Sequence, residues 1–443
     1  MKRREQSIVP RIDRVLIILY LVLVGLGWMN IYSSSFQEDH PSFHDMSMEY
    51  GKQLFWIGVS LSLAVFILLL EGSFIRKQAY IIYLVILFML VIVLFLPPIK
   101  GARSWFGFGN YGVQPSEFAK YAVALALARY LSTINIKLQD WNAKIRALMI
   151  MGVPAFLILL QPDPGTVLIF LSFILVLYRE GLSGNILLFV LLGAAVLIVT
   201  VLMRDTSVTI PLINKDVPGI TAMLLVFVQI VLVVFLLIRY FVYKRDRKRN
   251  YILLGIALVI VSGYTLFVNY AYDSILKDRH RTRIELFLGL QEDPDGKDYN
   301  RNRAMAAVGS GGFSGKGYMN AKLANARHGH VPEQSTDFAY CTLSEEWGFI
   351  GSTVVIILFM FLLIRLIIIA ERQRSQFTRI YAYAVTGVLF FHFMINVGMT
   401  IGLAPVIGIP LPFFSYGGSS LLAFTMLIFT LVRLDAERMD VLR

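Results

Sequence analysis

The sequence predicts an all-α protein that crosses a membrane many times, and three observations predict it. Of 443 residues, 57% are hydrophobic and only 16% are charged, whereas a soluble domain carries about 25% charge to keep its surface wet. Mean hydropathy is +0.67. The apolar residues fall in blocks as long as a bilayer core demands, such as Arg14 to Ser33, Ala79 to Pro97 and Tyr251 to Tyr270.

Hydropathy places about twelve helices, at 14–33, 53–71, 79–97, 115–132, 145–160, 164–179, 186–203, 219–239, 251–272, 348–370, 379–402 and 417–433. The basic start, Met1 to Arg14, runs into the first span without an A-x-A-like cleavage site, so this span reads as a retained helix and not a signal peptide. With the N-terminus in the cytoplasm, the inner turns hold Arg76 and Lys77, then Lys137, Lys144 and Arg146, then the run Lys244 to Arg249, then Arg372, Arg374 and Arg379. The outer turns hold few cations, as the positive-inside rule requires. The long polar stretch 273–347 is the exception in size. Loops beyond about 60 residues escape the charge rule, and long loops are commonly functional.

One cysteine, Cys341, excludes an intrachain disulfide framework and a cysteine zinc cluster. The net charge of +12 is read as orientation in the membrane and contact with anionic lipid, not as nucleic-acid binding.

Five segments carry chemistry. In GARSWFGFGNYGVQPSEFAK (101–120), Pro115 and Glu117 are normal helix-start residues. Lys120 lies one turn deeper on the same face, so the two charges are either a structural ion pair or the lining of a polar pocket with Arg103 at its mouth. In QPDPGT (161–166), Asp163 is read first as a helix cap. GSGGFSGKG (309–317) fails the Walker pattern, yet Lys316 and the loop amides could hold an anionic headgroup; a linker is the plainer reading. In VPEQSTDFAYCTLSEEWG (331–348), Ser335 and Thr336 are expected to cap a helix whose first turn holds Asp337. With Glu333, Glu345 and Glu346 near in sequence, Asp337 is the best general-base candidate in the chain. In NVGMTIGLAPVIGIPLPFFSYGGSS (396–420), Pro405, Pro410 and Pro412 forbid a regular helix, and broken backbone at membrane depth must be buried or line a cavity. His392 and Asn396 read as polar glue between helices.

GARSWF, QPSEFAK, QPDPGT, GSGGFSGKG, VPEQSTDF, SEEWGFIG and PLPFFSYGGSSLL resemble, in this order, the motifs of the SEDS family (shape, elongation, division and sporulation) of cell-wall polymerases. PVIGIPLPFFSYGG is closer to the elongation members than to the division members. The resemblance implies a peptidoglycan glycosyltransferase of the cytoplasmic membrane, facing outward. Its substrate would be lipid II, the undecaprenyl-pyrophosphate-linked disaccharide-pentapeptide, joined into β-1,4 glycan with inversion. It implies that Asp337 is essential, and that Arg103, Glu117 and Lys120 line a central cavity. Lys316, Glu333 and Ser415 are expected as further substrate contacts. The implied partners are a class B penicillin-binding protein transpeptidase and membrane proteins of the elongation machinery. No tightly bound cofactor is expected; a divalent cation (magnesium or manganese) is an optional aid. Family members have ten membrane helices, so an inserted pair is expected at 186–239. The rival readings are a lipid flippase or transporter and a non-catalytic scaffold for wall synthesis.

Overall fold

A computed structural model of the chain describes residues 11–37, 39, 42–97, 103–108, 111–134, 136–210, 215–274, 281, 285, 297–324, 333–404 and 406–439. Residues 1–10, the motif residues Gly101, Ala102, Val331, Pro332 and Pro405, and much of 273–347 lie outside this description.

The helices are α1 (Arg14–Ser35), α2 (Glu49–Leu69), α3 (Gly72–Val93), α4 (Pro115–Leu131), α5 (Trp141–Leu160), α6 (Pro164–Phe170), α7 (Ser172–Arg179), α8 (Gly184–Arg204), α9 (Gly219–Phe241), α10 (Lys244–Ser274), α11 (Lys297–Ser310), α12 (Ala339–Glu371), α13 (Gln376–Thr400) and α14 (Gly418–Ala436). Two short antiparallel hairpins join them, β1 (Phe106–Phe108) with β2 (Tyr111–Val113) and β3 (Ser207–Ile210) with β4 (Lys215–Pro218).

Among the described residues, ten helices are long and apolar enough to span a membrane, not twelve. One of the two that fall short is α4, with 17 residues and the charges Glu117, Lys120 and Arg129. It is buried along nearly its whole length, so its neighbours and not lipid are its solvent. Its alanines let those neighbours approach closely. The other is 164–179, comprising α6 and α7, an apolar stretch of only 16 residues whose junction residue Leu171 keeps helical dihedrals.

The chain forms two compact units, Met1–Leu182 with Pro294–Arg443, and Ser183–Asp293. In the smaller unit, α8, α9 and α10 pack on one another around Val201, Val268 and Tyr272. Arg204 pairs with Asp273 and lies over the Tyr272 ring, 4.6 Å from its centroid. The expected pair at 186–239 falls on α8 and α9, two of the three long helices described in this unit.

In the larger unit, α1 fixes which ends lie together. Asp13 caps it, accepting from the Leu16 N–H at 3.0 Å, and its other oxygen takes Arg365 and Arg372 at 2.7 Å each. Arg372 also grips Asp435 at the end of α14. At the far end of α1, Gln334 donates to the Ser34 carbonyl at 3.1 Å and the Ser33 hydroxyl donates to Glu346. A helix of 22 residues is about 33 Å long. The start of α1 and the ends of α12 and α14 therefore share one side, and the turn holding Asp337 lies on the other.

Candidate active site

The turn 333–338 is built without a side-chain cap. Helix α12 starts at Ala339, and Phe338 at the N-cap makes no side-chain hydrogen bond. The carbonyl of Glu333 instead accepts from the N–H groups of Thr336 and Phe338, at 3.2 Å each. Ser335 and Thr336 are therefore not the caps expected of them. Asp337 precedes the helix, where its carboxylate is not spent on the helix end.

That carboxylate reaches a cavity of about 230 Å³. Thr336 and Asp337 form part of its wall, Trp105 comes from the stretch before β1, Gln114 and Glu117 from the head of α4, and Asp163 and Thr166 from the head of α6. His392 of α13 and the irregular segment 401–417 complete it, with Gly408, Ile409, Pro410 and Tyr416, and Ser419 and Ser420 open α14. The broken backbone expected from the prolines is observed: no helix covers 401–417, and Ile409, Leu411, Phe413 and Phe414 anchor it as buried side chains. Tyr416 N–H donates to the Ser335 carbonyl at 2.7 Å, which holds this segment against the Asp337 turn.

The charges around the cavity differ sharply in how they are satisfied. Glu117 and Lys120 are both buried and form an ion pair at 2.8 Å. Lys120 also donates to His392 Nε2 at 2.8 Å and lies 5.2 Å from the Phe424 centroid. His392 Nδ1 is 3.1 Å from the Pro410 carbonyl, which can only accept. Nδ1 therefore carries the proton and Nε2 accepts from the lysine, so the imidazole is neutral. Asp163 caps α6 as expected, taking Thr166 N–H at 3.1 Å and Thr166 hydroxyl at 2.7 Å, with Gln114 at 3.1 Å.

Among the described residues, no such cation pairs with Asp337. Burial pushes its carboxyl up to about 7, and the Glu333 charge, a hydrogen bond with Glu333 and the Asp163 charge add to the rise. The neighbours responsible are Glu333 and Asp163, not Glu345 and Glu346 as the sequence suggested. A carboxylate that titrates near neutrality inside a cavity is a group able to accept a proton from a hydroxyl.

The remaining expected residues lie elsewhere. Lys316 is paired with Glu345 at 2.6 Å and donates to the Ser310 hydroxyl at 2.8 Å. Its glycine-rich loop lies on the start of α12: Gly315 has φ +79°, and a Cβ there would stand 2.1 Å from the Glu346 carbonyl. The N–H groups of Lys316 and Gly317 are spent on the carbonyls of Glu345 and Glu346, so these two amides are not free to cradle a phosphate. Ser415 is buried and accepts from the Leu411 N–H at 2.8 Å, inside its own turn. Arg103 is exposed, two residues before the cavity-lining Trp105, with one long hydrogen bond of 3.5 Å to the Leu94 carbonyl. The structure thus brings Asp337 and Glu117 into one cavity, with Lys120 behind Glu117, and leaves Arg103, Glu333, Lys316 and Ser415 out of the lining.

Trp105, Gln114, Tyr416 and Ser419 line the cavity without having been singled out. A signal for the first two was present: β1 and β2 pair Phe108 with Tyr111, leaving the Gly-Asn pair 109–110 between them, which is a two-residue hairpin signature. Among the described residues no three His, Cys, Asp or Glu side chains are grouped to hold a metal ion. Glu117 is held by Lys120 and Asp163 by its cap, so these residues do not fit a bound divalent cation, and no step is derived through one.

The sequence model of the FtsW/RodA/SpoVE cell cycle proteins matches residues 13–216 and 206–440. The chain is 32% identical over 425 residues to the peptidoglycan glycosyltransferase RodA of Treponema pallidum (strain Nichols), covering 92% of this chain and 94% of that one. It is 27% identical to the peptidoglycan glycosyltransferase MrdB of Escherichia coli (strain K12), covering 93% and 90%. Among solved structures, a chain of a peptidoglycan synthase complex described for its coordination of polymerization and crosslinking superposes with a TM-score of 0.67 at 25% identity, covering 96% of this chain and 98% of that one. The rod shape determining protein RodA of Thermus thermophilus, at 23% identity and a TM-score of 0.56, covers 96% and 97% and shares the fold.

Proposed function

The chain belongs to the FtsW/RodA/SpoVE family of cell cycle proteins, and on that premise we propose that it is a peptidoglycan glycosyltransferase that extends glycan strands from lipid II with Asp337 as general base. The reaction needs a hydroxyl of one sugar to attack the anomeric carbon of another while pyrophosphate leaves. Asp337 takes the hydroxyl proton as the new carbon–oxygen bond forms, and the carbon–oxygen bond to pyrophosphate breaks. A direct displacement of this kind inverts an α-linked donor into a β-1,4 product. General base catalysis of this kind contributes roughly 10²- to 10⁴-fold in rate. Arg103 would meet the leaving pyrophosphate; its exposure and its position two residues before the cavity-lining Trp105 support that role. Glu117 and Lys120 neutralise each other and shape the wall.

One observation carries this reading: among the described residues, Asp337 is the cavity carboxylate that neither a cation nor a helix cap occupies, and its carboxyl is pushed up to about 7. The excess of Lys and Arg in 76–77, 137–146, 244–249 and 372–379 supports a cytoplasmic location for the turns that hold them. Asp13, Arg372 and Asp435 then belong to the cytoplasmic side and the cavity to the outer side, where lipid II displays its headgroup. The resemblance to RodA relatives supports a role in elongation, and the solved synthase complex supports a transpeptidase as working partner. Polymerisation of labelled lipid II by the purified full-length chain, with and without that transpeptidase, tests the proposal. Wild type is expected to make polymer, and Asp337→Asn to make it roughly 10²- to 10⁴-fold more slowly. A well-folded Asp337→Asn protein with near-normal polymerisation overturns the assignment.

A further inference from the structure

Asn396 is fully buried, and among the described residues its amide bonds to backbone carbonyls and to no charged side chain. Its amide Nδ2 donates to the Asp337 carbonyl at 2.8 Å and to the Ile409 carbonyl at 2.7 Å. Both acceptors are carbonyls, so the amide can face them only with its NH₂ group, and both of its hydrogens are used. One turn earlier on α13, His392 donates from Nδ1 to the next carbonyl, that of Pro410, at 3.1 Å. Two successive carbonyls of the broken segment are thus held by two successive turns of one helix. On the His392 side this ladder reaches Lys120 and through it Glu117; on the Asn396 side it reaches Asp337.

The need for such a tie follows from the local backbone. Asp337 precedes α12, and Cys341 N–H goes to Phe338 and not to Asp337. Its carbonyl therefore gets from Asn396 the partner that a helix would otherwise supply. Opposite the carboxylate stands Gly408, with φ +80°, where a Cβ would lie 3.1 Å from Asp337 Oδ2. The strand of backbone that carries Gly408 to Pro410 is thus set close to the carboxylate, and Asn396 clamps both sides of that gap.

We infer that Asn396 is a positioning residue for glycan extension: its single amide fixes the spacing between Asp337 and the 408–410 wall, and so the reach of the base to the acceptor hydroxyl. This rests on the reading of Asp337 as the base. Misplacement by about 1 Å can cost roughly 10²-fold in rate. Asn396→Leu, of similar volume, keeps the packing and removes both donors. Asn396→Gln keeps an NH₂ group on an arm one methylene longer.

The experiment measures kcat, KM and the pH profile for labelled lipid II with the full-length chain and its transpeptidase, for wild type, Asn396→Leu, Asn396→Gln and Asp337→Asn. Among the described residues, the groups that face Asp337 are Glu333 from its own turn, Asp163 from α6, Glu117 from α4 with Lys120 behind it, and His392 from α13. The variants leave all five in place. Asn396→Leu is expected to lose about 10- to 100-fold in kcat, with KM within about twofold. Its acid limb should move down by about one pH unit, because a loosened carboxylate regains water. Asn396→Gln is expected to recover part of both. Wild-type kcat and an unmoved acid limb in a folded Asn396→Leu protein, beside an inactive Asp337→Asn, overturn this inference alone. An active Asp337→Asn overturns the base reading and this inference with it. If Asn396→Leu does not fold, Asn396→Gln decides: wild-type kcat and pH profile there also overturn it.

Discussion

Asp337 and Glu345 stand eight residues apart, and the fold treats them in opposite ways. Glu345 is wholly buried and every side of it is occupied: Lys316 at 2.6 Å, then the N–H groups of Lys322, Leu323 and Ala324 at 2.9, 3.0 and 2.7 Å. Glu346 takes the Ser33 hydroxyl and the Met319 N–H. These two carboxylates nail the 311–324 loop to the start of α12. Asp337 meets other carboxylates and a cavity, with its backbone held but its side chain left to chemistry. Carboxylates of one type, close in sequence, divide into scaffold and reagent by what surrounds them. Glu345 is saturated with donors and serves as scaffold; Glu346 is held through Oε1 alone; Asp337 is left to act as a base.

The largest effect that can break this comparison is Asp337→Asn. It is expected to lose roughly 10²- to 10⁴-fold in polymerisation while folding normally. The sign for stability runs the other way. A carboxyl raised to about 7 in the fold favours folding when protonated, and that contribution is lost as pH rises through 7. Above that pH the wild type carries a buried charge that asparagine lacks. Asp337→Asn should therefore melt a few degrees higher than wild type at pH 8, with the gap closing toward pH 5, as thermal unfolding in detergent can read.

Glu345→Gln should do the reverse. It puts an NH₂ group among amide donors and leaves Lys316 unpaired, a loss of about 3–5 kcal/mol for a broken buried pair. Poor yield and a lowered melting temperature are expected, with activity falling only as the folded fraction does. A stable Glu345→Gln protein that is inactive would place Glu345 in the chemistry. Lys316→Ala should be milder, about 1–2 kcal/mol, since its side chain is partly exposed and three backbone donors still hold Glu345. Its kcat should stay within several-fold of wild type, and a loss comparable to that of Asp337→Asn would return Lys316 to the substrate.

Much of this was legible in the sequence, because bilayer length and helix periodicity leave strong marks. The prolines of 401–417 announced broken backbone, and Glu117 and Lys120 announced a pair. The place of α4 as a short central helix was not legible, because hydropathy reads lipid contact and α4 has almost none. The error at Asp337 is instructive: Ser335 and Thr336 have the chemistry of caps, but the Glu333 carbonyl already satisfies the turn. The direction of Glu345 and Glu346 was also hidden, since it depends on a loop thirty residues earlier folding back on them.

The central claim is that Asp337 is a base poised near neutrality, and the pH dependence of polymerisation tests it most directly. The rate constant for labelled lipid II at saturating substrate should fall tenfold per pH unit below a midpoint near 7, as the carboxyl gains its proton. The residual rate of Asp337→Asn should lack that limb. A wild-type rate that stays flat from about pH 8 down to about pH 5, well past the raised value, would contradict the account.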